Sequence, residues 1–398
     1  MRISGILRRI AIYLPQELMR MYIWERPDWP HFRWNSARLL PSLQVAHMNQ
    51  GRFLGRLETL GFDLRVRAEL NAVSEEALKS SEIEGEILNP ESVRSSVARR
   101  LGVPDAALGP EDRNVEGIVG MTLDATKSFD APLTEERLFA WQAALFPTGY
   151  SDLKRIRVGA WRDQSSDPMR VVSGAHGRRR IHFEAPPAER MDAEMKAFLQ
   201  WFNHPPRLDG IVEAAIAHLW FCTVHPFEDG NGRIARALAD MSLARTEHSD
   251  QRFYSLSAQI RRDRSAYYDS LESTQKGDLD ATDQLLWFIG CFSRAIDRAQ
   301  GACASVLAKT EFWQSHAQDA LNERQRKVLN RYLDGFEGNL TVRKWTALAK
   351  CSTATAQRDI ADLIERGILI RNPGGSKNSS YSLSVTPAKY DSRASTSK

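Results

Sequence analysis

The stretch that most constrains this chain is the apolar run IVEAAIAHLWFCTV, residues 211–224, taken with the polar segment directly after it, HPFEDGNGRIAR, residues 225–236. A helix that is apolar nearly all round has no face to offer water and belongs in the middle of a helical core. Pro226 lacks the backbone N–H that another turn would need, so the helix ends there and a loop must begin. Gly230, Asn231 and Gly232 are residue types that tolerate positive φ and leave backbone amides open. From Arg233 the helical spacing resumes in RIARALADMSLA. The fold expected around this pair is mainly α, with a polar loop held between two helices.

The rest of the chain is read around that centre. Its 398 residues leave room for two or three domains. No stretch approaches the roughly 20 apolar residues that span a bilayer, so a membrane is not an expected partner. Residues 1–20 carry Arg8 and Arg9 inside short apolar runs and no small-residue cleavage site, which argues against a signal peptide. They read as a flexible extension, with the start at Met1 or Met21 left open. Residues 21–105 follow an aromatic leader, YIWERPDWPHFRW, with long helical patterns, and residues 106–305 carry five more. Within the second block, RVV and RIHFEA flank the glycine-containing SGAHG and predict a β-hairpin.

Residues 306–385 have the layout of a winged helix-turn-helix: short helices around a CST turn, an amphipathic helix, and a hairpin turning at NPGGSKN. Leu348, Ile360, Leu363 and Ile364 are its expected core face, leaving Thr355, Gln357 and Arg358 outward. From residue 321 onward there are 14 Lys and Arg against 7 Asp and Glu, a local +7 within a chain of net +4. DNA is therefore one expected partner, and a solvated basic surface is the other reading of the same charge. Residues 386–398 read as a disordered tail. Cys222, Cys291, Cys303 and Cys351 have no metal-ligand spacing and are expected to be buried thiols in a reducing cytoplasm. Trp161, Trp220 and Trp287 are expected in the core.

Residues 225–236 combine parts that suit phosphoryl or nucleotidyl transfer. His225 can act as a base at neutral pH, and Asp229 offers the hard oxygen that Mg²⁺ takes beside phosphates. Amides at a helix start cradle an anion. Arg233 and Arg236, three apart, lie on one helical face and can reach the same polyphosphate. Taken singly, each has an ordinary explanation: a helix cap, a surface turn, a solvated face.

HPFEDGNGRIAR matches every position of HxFx(D/E)GNGRxxR, the motif of the Fic family, whose members commonly transfer AMP from ATP to protein hydroxyls. The resemblance extends over roughly residues 80 to 300. It implies a Fic-type helical core whose hairpin, with Val171, Val172, Ser173, Gly174, Ala175, His176 and Gly177 toward its turn, is a target-docking flap. An exposed strand there can pair with an extended target segment and align its hydroxyl. Arg178, Arg179 and Arg180 are open to two readings, contact with an acidic target or nucleotide, or a charged edge that resists aggregation. By the same resemblance His225 deprotonates the target hydroxyl and Asp229 holds Mg²⁺. Gly230, Asn231 and Gly232 form the anion cradle, with Asn231 near the α-phosphate, while Arg233 and Arg236 bind the outer phosphates and a buried Phe227 anchors the loop. Tyr267 and Tyr268 resemble positions near the nucleotide base, and on a helix only one of them can face it.

SSEIEGE, residues 80–86, fits the family's inhibitory motif (S/T)xxxE(G/N), with Ser80, Glu84 and Gly85 in the defining positions. The resemblance implies that Glu84 pairs with Arg236 in the place the γ-phosphate needs. The function expected is a protein adenylyltransferase that uses ATP and Mg²⁺ and is autoinhibited by Glu84. Removal of AMP by the same glutamate is left open. The alternative is a DNA-binding regulator in which this core senses nucleotide or modifies itself; a metal hydrolase lacks any HExxH-like spacing. The sequence does not name the target protein and leaves open whether it is the chain itself, and a homodimer is left open.

Overall fold

The structure is a computed structural model that describes residues 21–58, 61–103, 112–163, 168–173, 180–333, 338–373 and 379–384. The expected extension 1–20, the tail 386–398 and the turn residues 174–179 of the hairpin lie outside the described residues. The chain divides into two compact units, Met1–Ala299 and Gln300–Lys398. Residues 21–105 and 106–305, separate blocks in the sequence pattern, therefore share a unit up to Ala299.

The first unit contains α1 (Ser36–Glu58), α2 (Phe62–Ile83), α3 (Pro90–Arg100), α4 (Arg113–Lys127) and α5 (Glu135–Leu145). A hairpin of β1 (Tyr150–Ser151) and β2 (Lys154–Arg155) comes next, then one of β3 (Arg170–Ser173) and β4 (Arg180–Glu184). The helices then resume with α6 (Met191–Asn203), α7 (Gly210–Val224), α8 (Asn231–Glu247), α9 (Leu256–Arg262), α10 (Arg264–Gln275) and α11 (Thr282–Ser315), the last of which crosses the unit boundary.

The apolar run forms α7, and every one of its residues except Glu213 is buried. Asp209 caps its start, accepting from the amides of Ile211 at 3.0 Å and Val212 at 3.4 Å, which satisfies two donors that have no carbonyl within the helix. Gly210 explains how closely α8 lies alongside: a Cβ there would stand 2.2 Å from Thr246 Oγ1. Around this pair, α6 packs on α7, while α2, α4, α5 and α9 pack on α8. The aromatic leader docks on the same body. Trp29 stacks edge-on against Trp220 at 6.0 Å and donates from Nε1 to Glu194 at 2.8 Å, and Trp24 donates to the Glu184 carbonyl at the end of β4 at 2.8 Å.

The β3–β4 hairpin is antiparallel, with Arg170 opposite Glu184 and Val172 opposite Ile181 across a register shift after Val171. The β1–β2 hairpin was not expected, since strands of two residues are too short to show alternation. Trp161 and Trp220 are buried as expected, whereas Trp287 is only half-buried, and so are Cys303 and Cys351.

The second unit holds α12 (Glu323–Leu333), β5 (Leu340–Thr341), α13 (Val342–Ala349), α14 (Thr353–Glu365), β6 (Leu369–Arg371) and β7 (Ser380–Leu383). Its strands form an antiparallel sheet in the order β5-β7-β6. Trp345, Ile360, Leu363 and Leu369 lie in its core, with Leu348 packed at the margin. Ile364, expected in that core, is 38% exposed. The helical period carries it past the buried stripe of Ala356, Ile360 and Leu363. Gln357 and Arg358 face solvent and Thr355 is half-buried.

Candidate active site

His225 ends α7 in a left-handed conformation, φ +51°, its amide still bonded to the Phe221 carbonyl at 3.0 Å. This single backbone reversal turns the chain from the buried helix into the loop. The imidazole Nδ1 lies 3.2 Å from the Cys222 carbonyl. A carbonyl can only accept, so Nδ1 carries the proton and Nε2 presents a lone pair. Burial pushes the His225 pKa down; the Cys222 carbonyl opposes this, Arg162 adds to it, and Glu84 and Asp229 oppose it, with the net shift downward. The side chain therefore stands neutral at pH 7 with its base nitrogen free.

The loop is shaped by its own polar groups. Asn231 Oδ1 accepts from the Phe227 amide at 2.9 Å and Asn231 Nδ2 donates to the Phe227 carbonyl at 2.8 Å. Phe227 is fully buried against Trp161, centroids 4.9 Å apart. The Asn231 side chain is thus engaged in closing the loop, and what it leaves toward an α-phosphate is its amide. Gly230, at φ +91°, precedes α8 with no side-chain cap. The amides of Asn231, Gly232 and Arg233 are accordingly a helix start without intrahelical partners.

Asp229 is braced at both oxygens, Oδ1 accepting from the Gly230 amide at 2.6 Å and Oδ2 from the Ser151 hydroxyl on β1. Arg233 Nη1 donates to Glu86 at 2.8 Å, and its guanidinium lies 4.9 Å over the Phe146 ring. Arg236 is 1% exposed. It donates from Nε to Ser80 Oγ at 3.0 Å, from Nη2 to the Ser80 carbonyl at 2.9 Å, and pairs through Nη2 with Glu84 Oε1 at 2.8 Å. Burial alone would lower the Arg236 pKa; Glu84 and the hydroxyls of Tyr267 and Tyr268 reverse this, and the net shift is upward.

The end of α2 is what brings these acids here. Gly85 sits at φ +93°, and the Glu86 amide folds back onto the Ser81 carbonyl at 3.0 Å. That left-handed closure leaves Glu84 as the C-cap and Glu86 just past it. Glu84 reaches across the start of α8: a Cβ on Gly232 would meet its Oε1 at 2.2 Å.

Tyr267 is buried, its hydroxyl 3.1 Å from His218 Nε2, while Tyr268, centroid 5.0 Å away, is 37% exposed and stacks under Arg264. Of the two, Tyr268 is the one with an open face. Val171 and Val172 lie on β3, Val172 exposed; Ser173 ends that strand, and residues 174–177 lie outside the described residues. Sequence reasoning missed Ser151, Arg162 and Glu86. Glu86 had a signal, an acid two positions after Glu84; Ser151 and Arg162 join the loop from 78 and 63 residues away, a separation that leaves no local pattern.

Residues 132–243 match the model of the Fic/DOC family. The chain carries a Fic/DOC domain. Residues 22–103, which hold α1 to α3 and the Ser80, Glu84 and Gly85 positions, match a domain of unknown function, DUF4172. Relatives of the Fic/DOC domain include a protein adenylyltransferase Fic of Nematostella vectensis, 34% identical over 143 residues, or 32% of this chain and 31% of that protein. They also include a uridine 5'-monophosphate transferase of Xanthomonas campestris, 31% identical over 124 residues, 29% of this chain and 22% of that protein. The chain thus spans about a third or less of the length of these relatives. A crystal structure of a Fic family protein from Desulfovibrio desulfuricans shares the fold, with a TM-score of 0.50 at 20% identity over 86% of this chain and 96% of that one. Among the described residues, no helix is long and apolar enough to cross a membrane.

Proposed function

We propose that the chain is a protein adenylyltransferase, transferring AMP from ATP to a hydroxyl of a target protein, and that Glu84 holds it in a braked state. The observation that carries this reading is one loop offering a neutral base at His225 and, six residues on, an uncapped helix start flanked by Arg233 and Arg236. The residues suit a nucleotide. Arg236 Nη1 and Arg233 Nε are buried donors without a hydrogen-bond partner among the described residues, and the bare Gly232 leaves the cradle clear of side chain. Asp229, held by Gly230 and Ser151, suits Mg²⁺, which takes one or two carboxylates and completes its shell with phosphate and water. Bound there, the ion would offset charge on the phosphates.

In this mechanism His225 Nε2 takes the proton of the target hydroxyl as that oxygen attacks the α-phosphorus. The bond from the α-phosphorus to the bridging oxygen breaks and pyrophosphate leaves. The amides of Asn231, Gly232 and Arg233, with both arginines, stabilise the charge developing on the phosphates. The β3–β4 hairpin presents the target segment. Glu84, paired to Arg236, occupies the donor that an outer phosphate needs, and Glu86 does the same at Arg233.

The test tracks label from α-labelled ATP, and in parallel from α-labelled UTP, onto the protein itself and onto a cell lysate, with Mg²⁺ present. Label from ATP should rise in Glu84→Gly and vanish in Glu84→Gly with His225→Ala. Label from UTP alone would replace the proposed nucleotide. No label from either, in folded protein that binds nucleotide, would refute the transferase reading.

A further inference from the structure

Arg162 is a buried cation whose bonds run almost entirely to backbone carbonyls. Its amide donates to the Pro226 carbonyl at 2.9 Å, its Nε to the His225 carbonyl at 2.8 Å, and its Nη2 to Val224 at 3.3 Å and to Pro186. Three of those four acceptors are consecutive residues around the base. The fourth lies two residues past β4, whose last residue Glu184 is held by Trp24 and succeeded by the Ala185 amide bonded to the Met169 carbonyl at 2.9 Å.

A chain turning through a left-handed histidine leaves the carbonyls of Val224, His225 and Pro226 without helical partners, and buried carbonyls must find donors. A guanidinium is the one side chain whose rigid planar fork can serve several at once. Burial pushes its pKa down to about 10 against the opposing charge of Glu189, which still leaves it charged at neutral pH.

We propose that Arg162 is a positioning residue that ties the backbone of His225 to the base of the β3–β4 hairpin, so that the proton acceptor and the strand presenting the target hydroxyl keep one fixed geometry. The proposal rests on the transferase reading for its role in turnover, and on geometry alone for the tie. Its charge also faces His225, together with Glu84 from the end of α2 and Asp229 from the loop, and is the one cation of the three. Arg162 makes no contact with the α8 amides, Arg233 or Arg236 among its described bonds, so nucleotide affinity is outside its reach.

The experiment compares Arg162→Gln and Arg162→Lys in the full chain carrying Glu84→Gly. Arg162→Gln should lower the rate of AMP transfer by about 100-fold, the loss expected from an ångström of misplacement, while ATP affinity by calorimetry stays within about twofold of the parent. Its acid limb should move to higher pH, as should the His225 titration tracked by NMR, because a cation that holds the imidazole pKa down is gone. Lysine keeps the charge without the fork, so Arg162→Lys should recover the titration and leave the rate low. It also stands in should the glutamine variant fail to fold. Amide exchange should rise together in residues 181–186 and 223–228 in both variants. A folded Arg162→Gln protein with parental rate, His225 titration and exchange would overturn the proposal. Should the parent transfer nothing from ATP or UTP, the reaction reading fails alone, because exchange and titration still decide the tie.

Discussion

On the proposed reading Glu84 stabilises the protein at the expense of nucleotide affinity, and the two should move in opposite directions when it is altered. The pair with Arg236 is a charge-assisted bond of 2.8 Å to a guanidinium 1% exposed. Such bonds contribute about 1.5–3 kcal/mol when buried. The Glu84 side chain is 31% exposed, so screening leaves roughly 1–2 kcal/mol. Glu84→Gln keeps the backbone and an acceptor oxygen but loses the charge, about half of that value. Glu84→Gly loses all of it, and Ser80 alone then serves the buried cation. In the absence of nucleotide, Tm should fall in the order parent, Gln, Gly, by roughly 2–4 °C per kcal/mol in a unit of this size.

ATP that must displace Glu84 from Arg236 is relieved of the same energy, so its affinity should rise in the same order, by about 5- to 30-fold for glycine. Saturating ATP at about 100 times Kd adds about 2.7 kcal/mol and should erase the Tm deficit. Differential scanning calorimetry and titration calorimetry read the two quantities on the same samples. A Tm that falls with ATP affinity unchanged within twofold would refute the competition, leaving Glu84 a structural partner of Arg236 only.

Two other perturbations test neighbouring features. His218 is buried in α7 and its pKa is driven down to about 3 by burial and by Arg236; the unfolded chain protonates near 6.5, so the native state is fully favoured above that value and loses ground as pH falls toward 3. Urea unfolding should therefore show about 2 kcal/mol of lost stability between pH 7 and pH 5 that His218→Asn removes, and an unchanged slope would show that His218 is not its source. Glu86→Gln should free Arg233 and raise ATP affinity about threefold, independently of Glu84→Gln; a loss of affinity in calorimetry would mean that Glu86 holds Arg233 in its working position.

The sequence features that were legible are those the chain enforces locally. The apolar run, the proline after it and the small residues beyond dictate a buried helix, a reversal and a second helix start, and those three features place His225, Gly230 and Arg236. The β3–β4 hairpin was legible because β-prone runs flank its glycines. The β1–β2 hairpin was not, since its exposed tip residue Leu153 and its two-residue strands obey no hydrophobic period. Its contribution, the Ser151 hydroxyl on Asp229, depends on how α5 delivers the chain to the loop. Arg162 looked like one basic residue among many, because carbonyl groups left over by a backbone reversal exist only after folding.

The packing of α2 limits how Glu84 can be released. Leu70, Val73, Ala77 and Ile83 are buried along its face. Glu76, also buried, accepts from Ser255 Oγ at 2.6 Å and from the Ser257 amide at 3.0 Å. Withdrawing the helix would expose four apolar side chains, at about 1.5–3 kcal/mol for each large one, and leave the Ser255 and Ser257 donors without their carboxylate. The residues just past its end are under no such restraint, because the Glu84 side chain is partly exposed and Gly85 carries no side chain to pack. Turning the Glu84 carboxylate away from Arg236 forfeits a single charged bond, the smallest loss by which the Arg236 site can open. On the proposed reading, a signal that lifts the brake therefore has to act on residues 84–86, while the body of α2 stays where it is.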